Sequence, residues 1–573
     1  VTIHNSEIAA AFDRLADLLE IEEANPFRIR AYRNAARTVG GYSKSMADMV
    51  KEGDDLTELP EIGKDLAQKI TTMVETGKLP LLKEVESRTP GALSDLMKIE
   101  GLGPKRVKTL YKELNIRSIE DLKRAARNGK IHELEGFGEK TEELIKQRLE
   151  RFSGAEQRTK LLVAQEIATA LVDYLTKGKG VKKVTIAGSY RRCKETVGDL
   201  DILVTARQDS TVMQSLVEYD EVAEIISQGK TRSSLRLHSG MHVDVRVVPE
   251  VSYGAALHYF TGSKAHNIAV RSLGVKKGYK INEYGVFKND KRIAGKTEQE
   301  VYDAVDLPYI EPELRENRGE IEAARKHKLP RLITLKDIRG DLHAHTRASD
   351  GHNTLQQMAD AAAQLGFEYL AITEHSKHVI IANGLDKKRL LQHIKAIDKL
   401  NEQLDNITLL KSIEVDIMDD GSLDLPDSVL QQLDLTVCSI HYNFNLSRQK
   451  QSERILRAMD NPNFNILGHP SGRLINERDA YDFDLEKVMR GAKERGCFLE
   501  LNAHPDRLDL TDDGCLLAKE IGLKVAIATD AHSTNDLDFM RFGIGQARRG
   551  WLEADDVINT RSLAGLKKLL KRD

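Results

Sequence analysis

From Asp341 onward, short apolar runs alternate with amphipathic helical stretches, and most runs end in a histidine or an acid. The runs are Gly340–His345, Tyr369–Thr373, Thr408–Val415, Leu435–Ile440, Asn465–Leu467, Phe498–Leu501 and Lys524–Ala528. Seven strands separated by helices predict a barrel of the βα type. In such a barrel the carboxyl ends of the strands converge on one mouth. His343, His345, His375, Glu414, His441, His469, Asp530 and His532 all fall at those ends, and Asp350 follows the first strand in a Ser-Asp-Gly turn. A single His-x-His pair is most often structural. So many imidazoles and carboxylates at one mouth would repel or stay unsolvated without cations, and the mixture suits transition metals.

The chain has 573 residues, too long for one core, so several domains are expected. Hydrophobic residues make up 40% and charged residues 31%, and no apolar run approaches a membrane span. The first twenty residues read as an amphipathic helix and not as a secretion signal. Cys193, Cys438, Cys497 and Cys515 have no CxxC spacing and read as reduced thiols of a cytoplasmic protein. The formal net charge of −3 gives no global attraction to nucleic acid, so any such binding must come from local motifs.

Residues 1–150 read as helices around a repeated turn: Leu59-Pro-Glu-Ile-Gly-Lys64, Ile99-Glu-Gly-Leu-Gly-Pro104 and Leu134-Glu-Gly-Phe-Gly-Glu139. A Gly-x-Gly turn opening a helix presents backbone N–H groups to a phosphate, and the helix dipole assists. One copy is an ordinary tight turn; three copies point to sequence-independent DNA contact through Gly63, Gly101, Gly103, Gly136 and Gly138. The first copy departs from the pattern, with Glu61 where a glycine is expected.

Residues 151–310 mix strands with helices. Asp199 and Asp201 in Gly198-Asp-Leu-Asp201 share one face of a strand, and Asp244 lies in a second strand-like segment. Three carboxylates facing one point call for Mg²⁺ or Mn²⁺. A lone Asp-x-Asp is usually solvated, but here Gly188-Ser189-Tyr190-Arg191-Arg192 precedes it, a turn able to hold a triphosphate through backbone N–H, hydroxyl and Arg192. Tyr259–Ser263, taken alone, reads as a strand end packed into the core.

Gly188-Ser189 followed by Gly198-Asp-Leu-Asp201 is the signature of the nucleotidyltransferase superfamily. With Tyr259-Phe-Thr-Gly-Ser263, Asn267, Arg271 and Ile281-Asn-Glu-Tyr284, the first 310 residues resemble DNA polymerase beta and its X-family relatives. The turns of the N-terminal region resemble helix–hairpin–helix motifs. Residues from Asp341 to about Leu570 resemble the polymerase and histidinol phosphatase (PHP) domain.

The resemblance implies a multidomain α/β chain. A lyase-like helical domain would span 1–90, and a fingers-like domain with two helix–hairpin–helix motifs 91–150. The nucleotidyltransferase palm would span 151–255, an α+β thumb 256–315, a linker 316–340, and the PHP domain, a distorted (β/α)7 barrel, 341–573.

It also implies residue roles. Asp199, Asp201 and Asp244 would bind the catalytic Mg²⁺ or Mn²⁺. Gly188, Ser189, Arg192 and Gly262 would hold the nucleotide, Tyr259 and Phe260 would exclude a ribose 2′-hydroxyl, Asn267 would meet the incoming nucleotide, and Arg271 the template. Lys264 stands where polymerase beta has an acid. Lys69, with Tyr32 nearby, matches the Schiff-base lysine of a 5′-deoxyribose-phosphate lyase, although Arg28 and Asp65 depart from that pattern and Asp65 removes a positive charge.

In the barrel, three metals of the Zn²⁺ or Mn²⁺ kind would sit on His343, His345, Glu414 and Asp530; on Asp350, His375 and His532; and on Glu414, His441 and His469. Arg473 and Arg507 would touch phosphate, and Glu374 replaces a usual aspartate. The implied function is filling of short gaps in DNA repair, with a 3′–5′ exonuclease in the barrel and abasic-site endonuclease and 3′-phosphatase as related activities. The implied partners are gapped or nicked double-stranded DNA and deoxynucleoside triphosphates, with no membrane and a monomeric chain. The rival expectations are a sugar-phosphate phosphoesterase with an inert polymerase half, and a non-catalytic DNA-binding scaffold.

Overall fold

The computed structural model describes all residues except 1, 2, 41, 43, 98, 100, 155–157, 572 and 573, and leaves a few further side chains in 140–154 undescribed. The chain divides into two compact units. One consists of residues 1–159, 214–226 and 235–242; the other of 160–213, 227–234 and 243–573.

The first unit is mainly helical. Helix Asn5–Ile21 carries Ile8, Phe12, Leu15, Leu18 and Leu19 at helical spacing, and all five are buried. It packs on helix Pro26–Gly40, where Phe12 and Tyr32 place their rings 5.9 Å apart. Three hairpin turns then lead into helices Lys64–Thr76, Pro104–Leu114 and Glu139–Gly154.

The second unit begins with a sheet in which β1 (Val181–Ile186), β2 (Asp199–Ala206) and β3 (His242–Val247) are neighbours in that order. β1 and β2 run antiparallel, Ile186 opposite Ile202 and Val184 opposite Val204. Helices Tyr253–Thr261 and Lys264–Lys276 and the antiparallel sheet of β4 (Lys280–Asn282), β5 (Gly285–Lys288) and β6 (Lys291–Ala294) follow. Tyr259–Thr261 therefore ends a helix, not a strand: the nine-residue run Tyr253–Thr261 is long enough to bury a helical face with Ala255, Ala256 and Leu257.

Residues 316–340 are no loose tether. The buried Glu320 meets His266 at 2.7 Å, and Glu316 accepts from Arg192 at 3.0 Å. Deleting one partner of such a buried pair costs about 3–5 kcal/mol. The segment is thus part of the packed structure.

Beyond it, β7 (Gly340–Ala344), β8 (Tyr369–Ile372) and β9 (Thr408–Lys411) form one parallel sheet. A second parallel sheet contains β10 (Glu414–Asp416), β11 (Val437–Ser439), β12 (Ile466–Leu467), β13 (Phe498–Asn502) and β14 (Val525–Ala528). Bridges Ala344↔Ala531 and His375↔Glu414 close the ring. Strands covered on both faces read as continuous apolar runs, and β8, β11 and β14 are buried at every position. The expected third strand is broken at Ser412–Ile413, and that break separates the two sheets. The surrounding helices start at polar caps: the side chains of Thr354, Asp386, Ser447, Asp484 and Thr511 accept from the N–H three residues on.

Candidate metal centres and nucleic-acid contacts

The turns of the first unit share one backbone form. Gly101 and Gly136 lie at φ +86 and +83, and Glu61 occupies the equivalent place at φ +59. The departure at Glu61 therefore leaves the turn intact, at the cost of a left-handed conformation that glycine adopts freely. Gly63 and Gly103 cap their helices, and Gly138 directly precedes one. A Cβ built on any of the three would meet nothing within 4 Å, so their small size keeps space open outside the protein. Lys69 lies one helical turn after Asp65 and is ion-paired to it, while Tyr32 is buried.

In the palm, the register of β1 and β2 brings Gly188 against Asp201: a Cβ on Gly188 would lie 2.7 Å from its Oδ2. Burial and the neighbouring carboxylates of Asp199 and Asp244 push Asp201 up to about 7. Asp244 accepts from the Ser234 hydroxyl and lies 3.6 Å from Arg232. The buried Ser189 hydroxyl has no hydrogen-bond partner. Arg192 donates to Glu316 at 3.0 Å and to the Thr261 carbonyl, and Gly262 leaves it room. Tyr259 and Phe260 meet edge to face at 5.0 Å, and Arg246 lies over the Phe260 ring. Asn267 donates to the Tyr259 carbonyl at 2.7 Å while its Oδ1 stays unpartnered. Arg271 is exposed on its helix, and Lys264 stands at the start of the same helix.

At the barrel mouth every expected ligand converges. Nε2 of His343 is 3.5 Å from Glu414 and 3.4 Å from Asp530; Nε2 of His345 is 3.2 Å from Asp530. Asp350 lies 3.4 Å from His375 and 3.5 Å from His532. Glu414 is central, 2.7 Å from His375, 3.3 Å from His441 and 2.9 Å from His469. Three sets have ligand atoms mutually within 4.8 Å: His345, Asp350, His375 and His532; His343, His345 and Asp530; and His375, Glu414 and His441. His345 thus joins the second expected set as well as the first, and His375 the third. His469 and Asp530 have φ +24 and +54, local strain of the kind that clusters at functional sites.

The electrostatics match a cation site. Burial opposes charge on Glu414, but His375, His441 and His343 hold its carboxyl well below the usual range. Burial and the neighbouring His532 and His375 push His345 down to about 4, which keeps it in the neutral form a ligand needs. His343 Nε2, both nitrogens of His345, His375 Nδ1 and Glu414 Oε2 are buried and crowd one another without forming a well-aligned hydrogen bond. Buried polar atoms left so would be costly, and cations would satisfy them.

Three further acids surround the ligands: Asp416 and Glu374 stand at strand ends in the sequence, whereas Glu500 gives no signal there. Glu500 takes His343 Nδ1 at 2.7 Å and the His469 N–H at 2.5 Å. Asp416 takes His441 Nδ1 at 3.1 Å and also His378. Such carboxylates fix the tautomer and orientation of the histidine. Glu374 binds Thr346, Ser349 and their backbone, anchoring the turn before Asp350. Arg473 corrects the expectation of a phosphate contact: both its terminal nitrogens are held by Glu195, at 3.2 and 2.6 Å, so it ties the palm to the barrel. Arg507 lies 3.5 Å from Asp530, and its buried Nη1 has no partner.

Family models match along the chain in the order of these parts. A helix-hairpin-helix domain matches residues 3–79, a SAM-like helix-hairpin-helix tandem 93–151, the DNA polymerase beta palm 162–247, the DNA polymerase beta thumb 256–316 and the PHP domain 341–504. Asp530 and His532 lie beyond that last match and join the centre through the fold. The protein from Bacillus subtilis (strain 168) named "DNA polymerase/3'-5' exonuclease PolX" is 37% identical over 575 residues, covering 100% of both chains. A probable phosphatase from Thermoanaerobacter sp. (strain X514) is 30% identical over 40% of this chain and 94% of its own length. Another, from Acetivibrio thermocellus, is 31% identical over 34% of this chain and 78% of its own. A full-length relative, the palm and thumb matches and the histidine-lined barrel converge on one conclusion: the chain belongs to the family X DNA polymerases that carry a C-terminal PHP domain.

Proposed function

We propose that the two centres divide one repair task, the palm adding nucleotides and the barrel removing them. The chain is a DNA-directed DNA polymerase that fills short gaps, with a 3′–5′ exonuclease in its PHP domain. The observation that carries this division is the presence, in one chain, of two separate acidic centres of different composition.

In the palm, Asp199, Asp201 and Asp244 hold Mg²⁺ or Mn²⁺, which suit oxygen ligands. Gly188 and the unpartnered Ser189 hydroxyl receive the triphosphate, and Arg192 neutralises it. Tyr259 and Phe260 form a rigid wall beside the sugar, and the spare Oδ1 of Asn267 faces the nucleotide. Gly262 lets the thumb turn approach Arg192, and exposed Arg271 contacts the template. The open turns at Gly63, Gly101, Gly103, Gly136 and Gly138 grip the DNA backbone, which fits gapped or nicked duplexes as substrates.

In the barrel, His343, His345, Asp350, His375, Glu414, His441, His469, Asp530 and His532 hold three cations of the zinc or manganese kind. When bound, such cations activate water and neutralise charge on a phosphate ester. Glu414 links the sets, Glu500 and Asp416 fix the imidazoles, and the free Nη1 of Arg507 meets the phosphate. The barrel-only relatives named as probable phosphatases favour a second output, removal of a 3′-terminal phosphate, with incision at abasic sites as a related one. Lyase chemistry at Lys69 is disfavoured, because its amine is engaged by Asp65. The chain works as a cytoplasmic monomer.

The test is a duplex with a one-nucleotide gap, a 5′-phosphate and a labelled primer, incubated with Mn²⁺. Extension with nucleotides and shortening without them is the expected result. An unchanged primer in both lanes, with phosphate released from sugar phosphates, would replace this reading by the small-molecule phosphoesterase.

A further inference from the structure

Beside the barrel's metal centre is a surface that the two activities do not explain. Ile380 and Ile381 are 81% and 95% exposed, more than any other large apolar side chain among the described residues. They occupy a single 3₁₀ turn, Ile380–Ala382, five residues after His375. The turn is firmly held. Leu385 N–H donates to the His375 carbonyl at 2.7 Å, and Gly384 passes so close to Ser376 that a Cβ would lie 1.9 Å from its carbonyl oxygen. Arg389 ties the far side, donating to the carbonyls of Asn383 at 2.8 Å and Gly384 at 3.1 Å and to that of Ala348. Val379, Ala382 and Leu385 point inward and are buried. The fold therefore presents two isoleucines outward on a rigid support.

Lys377 and Asp386, which flank this turn in the chain, line a cleft of about 610 Å³ together with Lys387, Lys388, Lys395, Leu391, Leu425 and Pro426. The last three lysines belong to the exposed face of helix Lys387–Asn401. Lys377 has its nearest carboxylate, Asp424, 4.0 Å away. Asp386, the acid on the wall, is spent on capping the helix through Arg389 N–H at 2.8 Å. The cleft is thus lined by four lysines and three apolar residues, and the segment 375–378 joins it to the metal centre. His378 strengthens that link: it bonds Asp416, which also holds His441, and Tyr442 donates to its carbonyl at 3.3 Å.

Cationic side chains that track phosphates, beside apolar groups that contact base faces, are the two components of a single-strand grip. In a duplex the base faces are stacked on one another, and an apolar wedge must unstack a step to reach them, at a cost of about a few kcal/mol; an unpaired end offers the isoleucine tip a base face without that cost. We propose that this cleft and the Ile380–Ile381 tip bind the unpaired 3′-terminal segment of a DNA strand as it enters the barrel's metal centre. Lys377, Lys387, Lys388 and Lys395 hold its phosphates, and the isoleucines contact a base. The proposal rests on the exonuclease reading of the barrel, and it predicts a preference for frayed or mispaired ends without base-specific contacts.

Two measurements on the full-length protein test it. The first cross-links single-stranded DNA carrying a photoreactive thymine near its 3′ end and maps the attached peptide in the absence of divalent metal. Attachment within residues 377–395 is expected; attachment confined to the N-terminal hairpins and the palm would overturn the proposal. This readout needs no turnover, so it stays informative if the exonuclease reading fails. The second compares Lys387→Ala/Lys388→Ala and Ile380→Ser/Ile381→Ser, all at exposed positions where folding is little affected. Each pair should raise KM for shortening a 3′-tailed DNA about tenfold while hydrolysis of bis(p-nitrophenyl) phosphate stays at the parent level. The lysine pair should also flatten the salt dependence by about 1.4 in log–log slope, about 0.7 for each single-strand phosphate that is no longer neutralised. Unchanged KM on DNA, or equal losses on DNA and the small ester, would overturn it.

Discussion

The palm and barrel centres solve the same electrostatic problem in opposite ways. In the palm, three carboxylates lie on two neighbouring inner strands of a sheet, Asp199 is exposed, and burial together with the charges of Asp199 and Asp244 pushes Asp201 up to about 7. In the barrel, the carboxylates Glu414 and Asp530 are buried among imidazoles and held well below their usual range despite that burial. Behind the imidazoles stands a further ring of acids, Glu500 and Asp416. On the proposed reading the palm is therefore an incomplete site that a triphosphate and its cations complete, as is usual for magnesium held by few carboxylates and substrate phosphates. The barrel is a complete cage that needs only its cations. One centre is assembled at each turnover; the other is preorganised.

The largest effects should come from removing one centre at a time. Asp201→Ala is expected to lower nucleotide addition by more than about a thousandfold, with primer shortening at the parent rate, and His343→Ala to do the reverse. Gel analysis of both activities on one gapped duplex reads the outcome. Loss of both activities in either variant would break the picture of independent centres.

The contrast between an assembled and a preorganised site predicts unequal responses to Glu500→Gln. That change leaves His343 without its carboxylate partner and should cost the barrel about 10–100-fold in metal affinity or activity, with extension untouched. Metal titration of exonuclease activity against extension checks it. A loss of similar size in extension would mean that the barrel fold, and not its cage, had been damaged.

Chelation sharpens the same comparison through stability. Cations bound in the cage stabilise only the folded barrel, by about 2.7 kcal/mol at a hundred times their dissociation constant. Prolonged dialysis against chelator should therefore lower the thermal unfolding midpoint. In the parent protein Mn²⁺ should restore it, and in His343→Ala the added metal should raise it much less. Equal recovery in both would place the stabilising cation outside the cage.

How much of this is legible in the sequence depends on whether neighbours in space lie at a regular place in the chain. Strand ends do. His375, His441, His469 and Asp530 closely follow apolar runs, and His343 and Glu414 lie near the ends of theirs, so the topology of a barrel gathers them. Glu500 does not: it lies inside β13, where an acid gives no sign of the imidazole opposite it. Arg473 misleads for a related reason. Its partner Glu195 is 278 residues earlier, and no local pattern connects them. The break at Ser412–Ile413 is hidden because a strand, a kink and a second strand with the same apolar residues read as one continuous run. In the hairpins the repeat itself carries the reading, and Glu61 keeps the turn by adopting glycine's conformation.

The smallest expected effect tests whether the two centres are as separate as their chemistry. Glu316 accepts from Arg192 at 3.0 Å and from Arg549, a barrel residue, at 2.9 Å. Arg549 also donates to the Arg192 carbonyl at 2.8 Å and to Asp512 at 2.6 Å. One carboxylate is therefore shared between the arginine proposed to hold the triphosphate and the barrel. With Arg549 removed, Glu316 would neutralise Arg192 alone and weaken its attraction for the triphosphate. Asp512 would keep Arg318, at 3.0 Å, as its partner. Arg549→Ala should thus raise KM for the nucleotide a few-fold, with kcat for extension and the rate of primer shortening unchanged. Arg549 and Glu316 are largely buried, so the substitution also costs stability, and KM is compared on protein shown by its unfolding midpoint to remain folded at the assay temperature. A fall in kcat instead would mean that the barrel positions the reacting groups of the palm, and that assembly of the polymerase site depends on the cage beside it.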